Sequence, residues 1–294
     1  MNIDMSKEKC IKMYDEKVER WVQSYDPNFK GYPGNQKRLK IILDIARRCD
    51  PRNALFIGCG PCVPMVKTIQ NIGCAAWGID FSAKMIERGK QILTENGCDP
   101  ETITVGDIEQ AQTLPEGEFD FATASGVFMH LEDEKVALEN INRKLSIGAT
   151  AALEFRNSLL SMFSFNSYSY DFFTNRLFEG IDFDPDLKLQ LDKFLRSKFS
   201  LSAGQEYKPG FSEESDGIVR KFHNPLTINK LFEKFGFSLE NNYFYHFHVV
   251  PSDFYTEDKE ACDKLSLLSE DPLDWRGHFM ASAFVSQVTK IADV

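Results

Sequence analysis

Glycines and acidic residues follow three successive apolar runs of the kind that forms buried strands. Gly58 and Gly60 come directly after NALFI, and Asp80 ends the next run, 22 residues beyond Gly58. Glycines between a strand and a helix let the backbone turn tightly against a ligand, and a carboxylate at the next strand end can accept hydrogen bonds from ribose hydroxyls. Asp107 and Ile108 follow the third run and are suited to an adenine amino group and ring. The three strand ends therefore predict one ligand crevice.

A second group of polar residues follows the fourth and fifth predicted strands. His130 is suited to act as a general base or to contact a substrate, although a packing role explains it equally well. Glu154, Arg156 and Asn157 end the fifth strand, where polar side chains face the crevice. For these three residues the alternative is local capping of the segment that follows.

Aromatic residues and two late histidines offer further contacts for a substrate. Tyr168 and Tyr170 lie in an aromatic segment and are predicted to wall a pocket, with the buried face of a helix as the alternative. His246 and His248 alternate on a late strand and so face one side. The sequence shows no third ligand beside them, so no metal site is predicted, and His246 is grouped with the substrate contacts.

These residues need an alternation of strands and helices to bring them together. The patterns predict strands over 53–57, 74–79, 102–105, 119–125 and 149–155, and helices over 62–72, 82–96 and 132–145. Five strands separated by helices imply right-handed crossovers and a mostly parallel sheet. A helix over 225–235 and strands over 237–249 and 279–288 complete it. The predicted fold is α/β, with a doubly wound, mostly parallel, seven-stranded sheet.

Helical segments precede and interrupt this sheet. Apolar residues at helical spacing predict one helix over 7–24 and another over 35–49. The segment after the fifth strand is aromatic-rich and lacks strand–helix alternation, which predicts a helical cap insertion. The predicted division is residues 1–156 and 223–294 for the α/β domain, with 1–49 as its N-terminal helical cover, and residues 157–222 for the cap.

The composition and net charge indicate which classes of partner and which cellular location to expect. Its 34 Lys and Arg residues against 44 Asp and Glu residues leave a net charge of −10. Such a chain repels phosphate backbones and anionic lipid heads, so we expect neither a nucleic-acid nor a membrane partner. The odd number of cysteines, seven, is typical of a reduced cytosolic protein. With no secretory signal and no membrane-spanning run, a cytoplasmic location is predicted.

Taken in order, four segments resemble the class I S-adenosylmethionine-dependent methyltransferases. They are LFIGCGPC, WGIDFSAKMIERGKQ, VGDIE and FDFATASGVFMHLED, all within residues 50–155. The resemblance implies a Rossmann-like domain with S-adenosylmethionine as its cofactor. It places Gly58, Cys59 and Gly60 at the amino-acid end, Asp80 at the ribose, Phe81 and Met85 beside the adenine, Asp107 and Ile108 at the adenine edge, and Ser125 and Gly126 at the sulfonium. In similar enzymes an N-terminal segment folds over the cofactor, where Tyr32 or Arg38 would grip its carboxylate.

Departures from that pattern keep other functions open. Phe56 stands where the family usually has an acidic residue, and Cys62 replaces the third glycine of the loop. A protein that binds S-adenosylmethionine without catalysis would fit both. A nicotinamide-dependent oxidoreductase is weakened because Val63 stands where its motif needs a glycine. Cys59 and Cys62 also form a C-x-x-C pair of the thioredoxin type, which would leave Asp80 and the later segments unexplained.

The function predicted from these observations is methyl transfer from S-adenosylmethionine to a small or medium acceptor. The expected reaction is O-methylation of a glycan precursor or a secondary metabolite. The candidate catalytic residues are His130, Glu154 and Arg156, and the candidate substrate contacts are Asn157, Tyr168, Tyr170 and His246. The variable cap would select the acceptor. A homodimer is compatible with its apolar surface.

Overall fold

The computed structural model describes residues 4–177, 181, 184–198, 211–213, 219–251 and 258–294. Its helices are α1 (Asp4–Glu16), α2 (Val18–Gln23), α3 (Gly34–Cys49), α4 (Val63–Ile72), α5 (Ala83–Glu95), α6 (Glu134–Lys144), α7 (Ser161–Ser164), α8 (Ser167–Asp171), α9 (Pro185–Lys198), α10 (Asn229–Glu233), α11 (Lys259–Ser269) and α12 (Gly277–Met280). Its strands are β1 (Asn53–Ile57), β2 (Ala75–Asp80), β3 (Ile103–Val105), β4 (Phe119–Ala124), β5 (Leu145–Arg156), β6 (Phe211–Glu213), β7 (Val219–Lys221), β8 (Phe237–Phe247) and β9 (Ala281–Lys290).

Seven strands form one sheet in the order β3-β2-β1-β4-β5-β9-β8. Strands β1 to β5 pair in parallel, and β9 runs antiparallel to both β5 and β8. The predicted doubly wound, mostly parallel, seven-stranded sheet is confirmed. The strand order reverses between β1 and β4, and ligands of such sheets bind at the carboxyl ends of the strands beside that point.

Both faces of the sheet are covered by apolar packing. Successive residues of β1 point to opposite faces, so Leu55 and Ile57 join one buried cluster while Ala54 and Phe56 join the other. A sheet covered on both faces needs apolar residues at every position of its central strands. This requirement explains why the strands read as continuous apolar runs and not as alternating ones.

The N-terminal cover consists of two short helices before α3. The helical conformation is interrupted at Lys17, whose backbone N–H donates to the Tyr14 carbonyl at 3.1 Å in a tight turn. The prediction of a single helix over 7–24 was wrong because no glycine or proline marks the break and the apolar spacing continues through it. α1 is held to the sheet domain where Ser82 Oγ donates to Asp15 at 2.5 Å.

The segment between β5 and α10 contains strands as well as helices. β6 and β7 pair antiparallel in a region for which only helices were predicted. That expectation was wrong because strands of three residues are too short to show a periodic pattern. α7, α8, a π-helical turn at Phe172–Arg176 and α9 form the helical part. Within the described ranges, no helix has both the length and the apolar content needed to cross a bilayer.

Candidate functional site

A cavity of about 500 Å³ lies at the carboxyl ends of the parallel strands, beneath the N-terminal helices. Its lining includes these predicted site residues: Tyr32, Arg38, Gly58, Cys59, Gly60, Asp80, Phe81, Met85, Ser125, Gly126, His130, Glu154, Arg156 and His246. The fold thus brings together most of the positions singled out in the sequence. A cavity of this size is typical of sites for cofactors and small molecules.

The loop between β1 and α4 forms one wall of the cavity. Gly58 and Gly60 have φ angles of 64° and 52°, in the left-handed region that favours glycine. Cys62 adopts the same region, with φ at 61°, at a cost of roughly 1–2 kcal/mol for a residue with a side chain. Its Sγ faces Gly89 of α5, where a Cβ would lie only 2.8 Å from the sulfur. Gly89 therefore gives a cysteine room at the position of the family's third glycine.

Asp80 ends β2 beside this loop. Its carboxylate accepts hydrogen bonds from the backbone N–H groups of Gly60 and Ser82, each at 2.9 Å. Burial raises the pKa of Asp80 to about 6, against the lowering effect of these two hydrogen bonds. A carboxylate has about four acceptor positions, so the remaining ones can accept from a pair of ligand hydroxyls.

Asp107 and Ile108 lie next to the main cavity and not in it. They line a narrow pocket of about 30 Å³ that shares Asp80 and Phe81 with the cavity. Lys7 of α1 forms ion pairs here with Asp107 and, at 3.2 Å, with Glu109. The N-terminal helix therefore closes the end of the crevice for which adenine contacts were predicted.

Glu154 is the centre of a buried hydrogen-bond network. Its carboxylate accepts from Nη1 of Arg38 at 2.7 Å, from the backbone N–H of Gly126 at 2.6 Å and from the hydroxyl of Tyr245. The second Arg38 nitrogen, Nη2, donates to the Tyr25 hydroxyl at 2.9 Å. These contacts favour a positioning role for Glu154 and Arg38, in place of the catalytic and carboxylate-binding roles predicted for them.

His130 lies in the turn Phe128–His130 after β4 and meets a residue of the cover. Its Nε2 is 3.2 Å from the hydroxyl of Tyr14, and both residues line the cavity. Burial raises the pKa of the Tyr14 phenol, so this hydroxyl stays protonated. Tyr14 was missed as a site residue, although a phenolic hydroxyl on an otherwise apolar helix face was a signal that could have found it.

Arg156 and His246 also line the cavity. Arg156 Nε donates to Sδ of Met129 at 3.5 Å, and His246 Nδ1 is 3.0 Å from the Ser282 hydroxyl. Burial, and then the neighbouring His248 and Arg156, lower the pKa of His246 to about 3. The imidazole therefore stays neutral at physiological pH. Its φ of 59° is a strained conformation, of the kind that clusters at functional sites.

Three predicted substrate contacts lie away from the cavity. Asn157 is 1% exposed, and its amide group donates to three backbone carbonyls of the segment 277–281. Tyr168 packs beside another aromatic ring of the insertion, and the Tyr170 hydroxyl bonds to Asp192. The strand end suggested the cavity for Asn157, and the aromatic segment suggested it for Tyr168 and Tyr170, but partners outside the cavity lining engage all three side chains.

The C-x-x-C pair lacks the properties of a redox centre. A hydrogen bond with Cys62, and then burial, raise the pKa of the Cys59 thiol, whereas thioredoxin-type chemistry needs a thiolate of low pKa. Within the part of the chain that the structure describes, no three His, Cys, Asp or Glu side chains are grouped so that they could hold a metal ion.

A family comparison decides between the remaining functions. Residues 55–153 match the model of a family described as "Methyltransferase domain", and this segment holds the glycine loop, Asp80 and His130. Residues 55–153, about a third of the chain, therefore form a methyltransferase domain of the class I S-adenosylmethionine-dependent type. The methyltransferase thus uses S-adenosylmethionine as its cofactor. No curated protein is similar enough in sequence to serve as a relative.

Solved methyltransferase structures share the fold of this methyltransferase. Magnesium protoporphyrin IX methyltransferase from Synechocystis PCC 6803, crystallised with bound S-adenosylhomocysteine, is 14% identical, with a TM-score of 0.51 and coverage of 92% of this chain and 93% of that one. An S-adenosylmethionine-dependent methyltransferase from Clostridium acetobutylicum ATCC 824 is 10% identical, with a TM-score of 0.54 and coverage of 92% and 98%. At these identities the likeness supports the fold alone.

The cavity of the methyltransferase fits its cofactor. The hydroxyl oxygens of Thr123 and Ser125 line it and are buried without a hydrogen-bond partner among the described residues. A Cβ at Gly60 would project into open space, and one at Gly126 would approach only the Tyr14 hydroxyl, at 3.9 Å. Buried polar atoms without partners call for an explanation, and a polar ligand seated against this loop supplies one.

Proposed function

We propose that this methyltransferase transfers a methyl group to an oxygen of a small acceptor, of the size of a glycan precursor or a secondary metabolite. The cofactor supplies an electrophilic methyl group, and the reaction forms an O–CH₃ bond as the S–CH₃ bond breaks. The observation that carries this proposal is one cavity whose lining holds both the glycine loop and the polar side chains of His130, Arg156 and His246. The cover above it leaves room for a small molecule and argues against a macromolecular acceptor.

The proposed cofactor contacts follow the order of the strand ends. The loop Gly58–Gly60 takes the amino-acid end together with Tyr32 of the cover, and Asp80 accepts from the ribose hydroxyls. Phe81 and Met85 flank the adenine. The remaining contacts are Asp107 and Ile108 at the adenine edge and Ser125 and Gly126 at the sulfonium. Lys7 must shift its ion pair with Asp107 to admit the adenine.

His130 is the proposed proton acceptor. An acceptor hydroxyl bound beside Nε2, next to the Tyr14 hydroxyl, would release its proton to the imidazole as the new bond to carbon forms. Tyr14 would orient that hydroxyl. Positioning the two reacting atoms supplies the rest of the rate enhancement.

The test combines binding with turnover. Calorimetry measures S-adenosylhomocysteine affinity, and methyl-labelled S-adenosylmethionine reports transfer to a panel of small hydroxyl compounds. Ligand at a hundred times its dissociation constant should stabilise the fold by about 2.7 kcal/mol. Binding with transfer to at least one compound supports the proposal. Binding without transfer across the panel would favour the non-catalytic alternative, and a response to NADH alone would contradict methyl transfer altogether.

A further inference from the structure

Arg156 is a half-buried cation without a carboxylate partner among the described residues. Its Nε donates only to the Met129 sulfur, at 3.5 Å, and a thioether is a weak acceptor. By contrast, Arg38 faces Glu154 at 2.7 Å and Arg176 faces Asp171 at 3.1 Å. A charge removed from water is costly unless it is paired. An unpaired arginine in a chain of net charge −10 therefore points to a partner that binds from the cavity.

Two further residues of the cavity lining add positive charge. Lys17 and Arg20 of the cover also line it and make no ion pair within the described ranges. The carboxylates of the lining are Asp80 and Glu154. Arg38 pairs with Glu154, and Asp80 lies beside the glycine loop, where its carboxylate accepts from the backbone N–H groups of Gly60 and Ser82. The cavity lining thus contains three cations, Arg156, Lys17 and Arg20, that have no carboxylate partner among the described residues.

The titratable groups around Arg156 supply no negative charge. Burial raises the pKa of the Tyr14 phenol, which stays protonated. Burial also lowers the pKa of His246 to about 3 and that of His248 to about 4, and both imidazoles stay neutral. These groups can share hydrogen bonds with a bound anion, but they cannot neutralise the guanidinium.

We propose that the acceptor is an anion, a small hydroxyl compound whose carboxylate or phosphate group pairs with the Arg156 guanidinium. This inference rests on the proposed function and narrows its substrate class. The planar fork of arginine matches two oxygens of a carboxylate or a phosphate. Lys17 and Arg20 would attract such an anion to the mouth of the cavity.

The experiment uses three probes that share one ring and differ in charge: benzoate, phenyl phosphate and benzamide. Each probe is titrated into the full chain saturated with S-adenosylhomocysteine. Calorimetry measures its affinity, and NMR of the Arg156 Nε–H resonance shows whether it binds beside Arg156. We expect at least one anion to bind saturably and at least about tenfold more tightly than benzamide. The better of the two anions identifies the acceptor as a carboxylate or a phosphate.

Two variants test whether Arg156 causes the preference for an anion over benzamide. Arg156→Gln should abolish it, and Arg156→Lys, which keeps the charge without the fork, should retain part of it. Arg47→Gln is the matched control, since Arg47 is exposed and pairs with Asp44 outside the cavity. Circular dichroism confirms that each variant is folded.

Three results would overturn the inference: equal binding of all three probes, no saturable movement of the Arg156 resonance with either anion, or a preference that survives Arg156→Gln. The S-adenosylhomocysteine titration comes first and separates the two proposals. Loss of that binding counts against the proposed function, whereas normal binding without an anion preference counts only against this inference.

Discussion

Arg38 and Glu154 are separated by 116 residues in sequence, yet Nη1 of the arginine lies 2.7 Å from Oε2 of the glutamate. The residues are 7% and 4% exposed. Glu154 also accepts from the backbone of Gly126 and from the Tyr245 hydroxyl. One carboxylate therefore joins α3 of the cover to three strand ends of the sheet. The position of α3 over the cavity therefore depends on the ion pair between Arg38 and Glu154.

Arg38→Met should lower the free energy of unfolding by about 3–5 kcal/mol, because it leaves a buried carboxylate unpaired. The double variant Arg38→Met with Glu154→Met should recover most of the loss, since both charges are then gone. Urea denaturation of the wild type, Arg38→Met, Glu154→Met and the double variant forms a double-mutant cycle. Arg47→Met, which breaks an exposed pair, is the control. A loss for Arg38→Met below about 1 kcal/mol, the range of exposed pairs, would contradict the assignment.

Asp80→Asn should weaken S-adenosylhomocysteine binding by about 10- to 100-fold, because an amide replaces one acceptor oxygen at the ribose. Burial raises the pKa of Asp80 to about 6, so wild-type affinity should fall as the pH drops through about 6 and the carboxyl group protonates. The variant should show low affinity without that pH dependence. Calorimetry between pH 5 and 8 measures both. Wild-type affinity in the variant would show that the ribose binds elsewhere.

The same carboxyl group predicts a pH dependence of stability with the opposite sign. Burial raises the pKa of Asp80 in the folded chain from the ordinary value of 3.8 to about 6, so between these two values the folded state binds more protons than the unfolded state. The contribution of Asp80 to the unfolding free energy therefore decreases as the pH rises through this window. Asp80→Asn removes that decrease. Its stability relative to wild type should thus increase from pH 4 to pH 7, as urea denaturation at each pH would reveal.

His130→Ala should reduce turnover by about 10²–10⁴-fold, the usual effect of removing a positioned base. S-adenosylhomocysteine affinity should not change, because the imidazole serves the acceptor side. Tyr14→Phe should show a smaller loss of the same kind. His278→Ala, outside the cavity lining, is the control. Turnover and calorimetry check these variants, and wild-type turnover in His130→Ala would show that another group of the cavity accepts the proton.

Asn157→Ala should act on stability and not on acceptor binding. Its amide nitrogen donates hydrogen bonds to the backbone carbonyls of His278 and Ala281, at 2.9 and 2.8 Å. Buried acceptors left without donors cost about 1–3 kcal/mol. Chemical denaturation should show that loss while the acceptor KM stays constant. Asn241→Ala, on an exposed position of β8, provides the comparison. A raised KM with unchanged stability would restore the substrate role predicted from the strand end.

The Cys59→Ser, Cys62→Ser double variant should retain S-adenosylhomocysteine binding. The raised pKa of Cys59 also means that its thiol should react slowly with alkylating reagents at neutral pH. Mass spectrometry measures the rate at which Cys59 is alkylated in the native protein, and the rate in a denatured sample, where all thiols are exposed, is the reference. A disulfide reductase activity that disappears in the double variant would revive the redox interpretation.

Local patterns in the chain were enough to predict the sheet and most of the strand-end residues that line the cavity. Glycines after β1, Asp80 after β2 and Ser125 after β4 all follow apolar runs, and parallel strands carry their carboxyl ends to the same edge. The position of each residue therefore follows from its place along its own strand.

The acceptor side depended on contacts that leave no local pattern. Tyr14 meets His130 across 116 residues, and nothing in the spacing around either residue encodes the other. Asn157 directly follows Arg156, the last residue of β5, but successive residues of extended backbone point to opposite faces, and of these two side chains only that of Arg156 lines the cavity. Side-chain partners of this kind are chosen by the packing of the whole chain, because burial makes each polar group take whichever partner lies within reach.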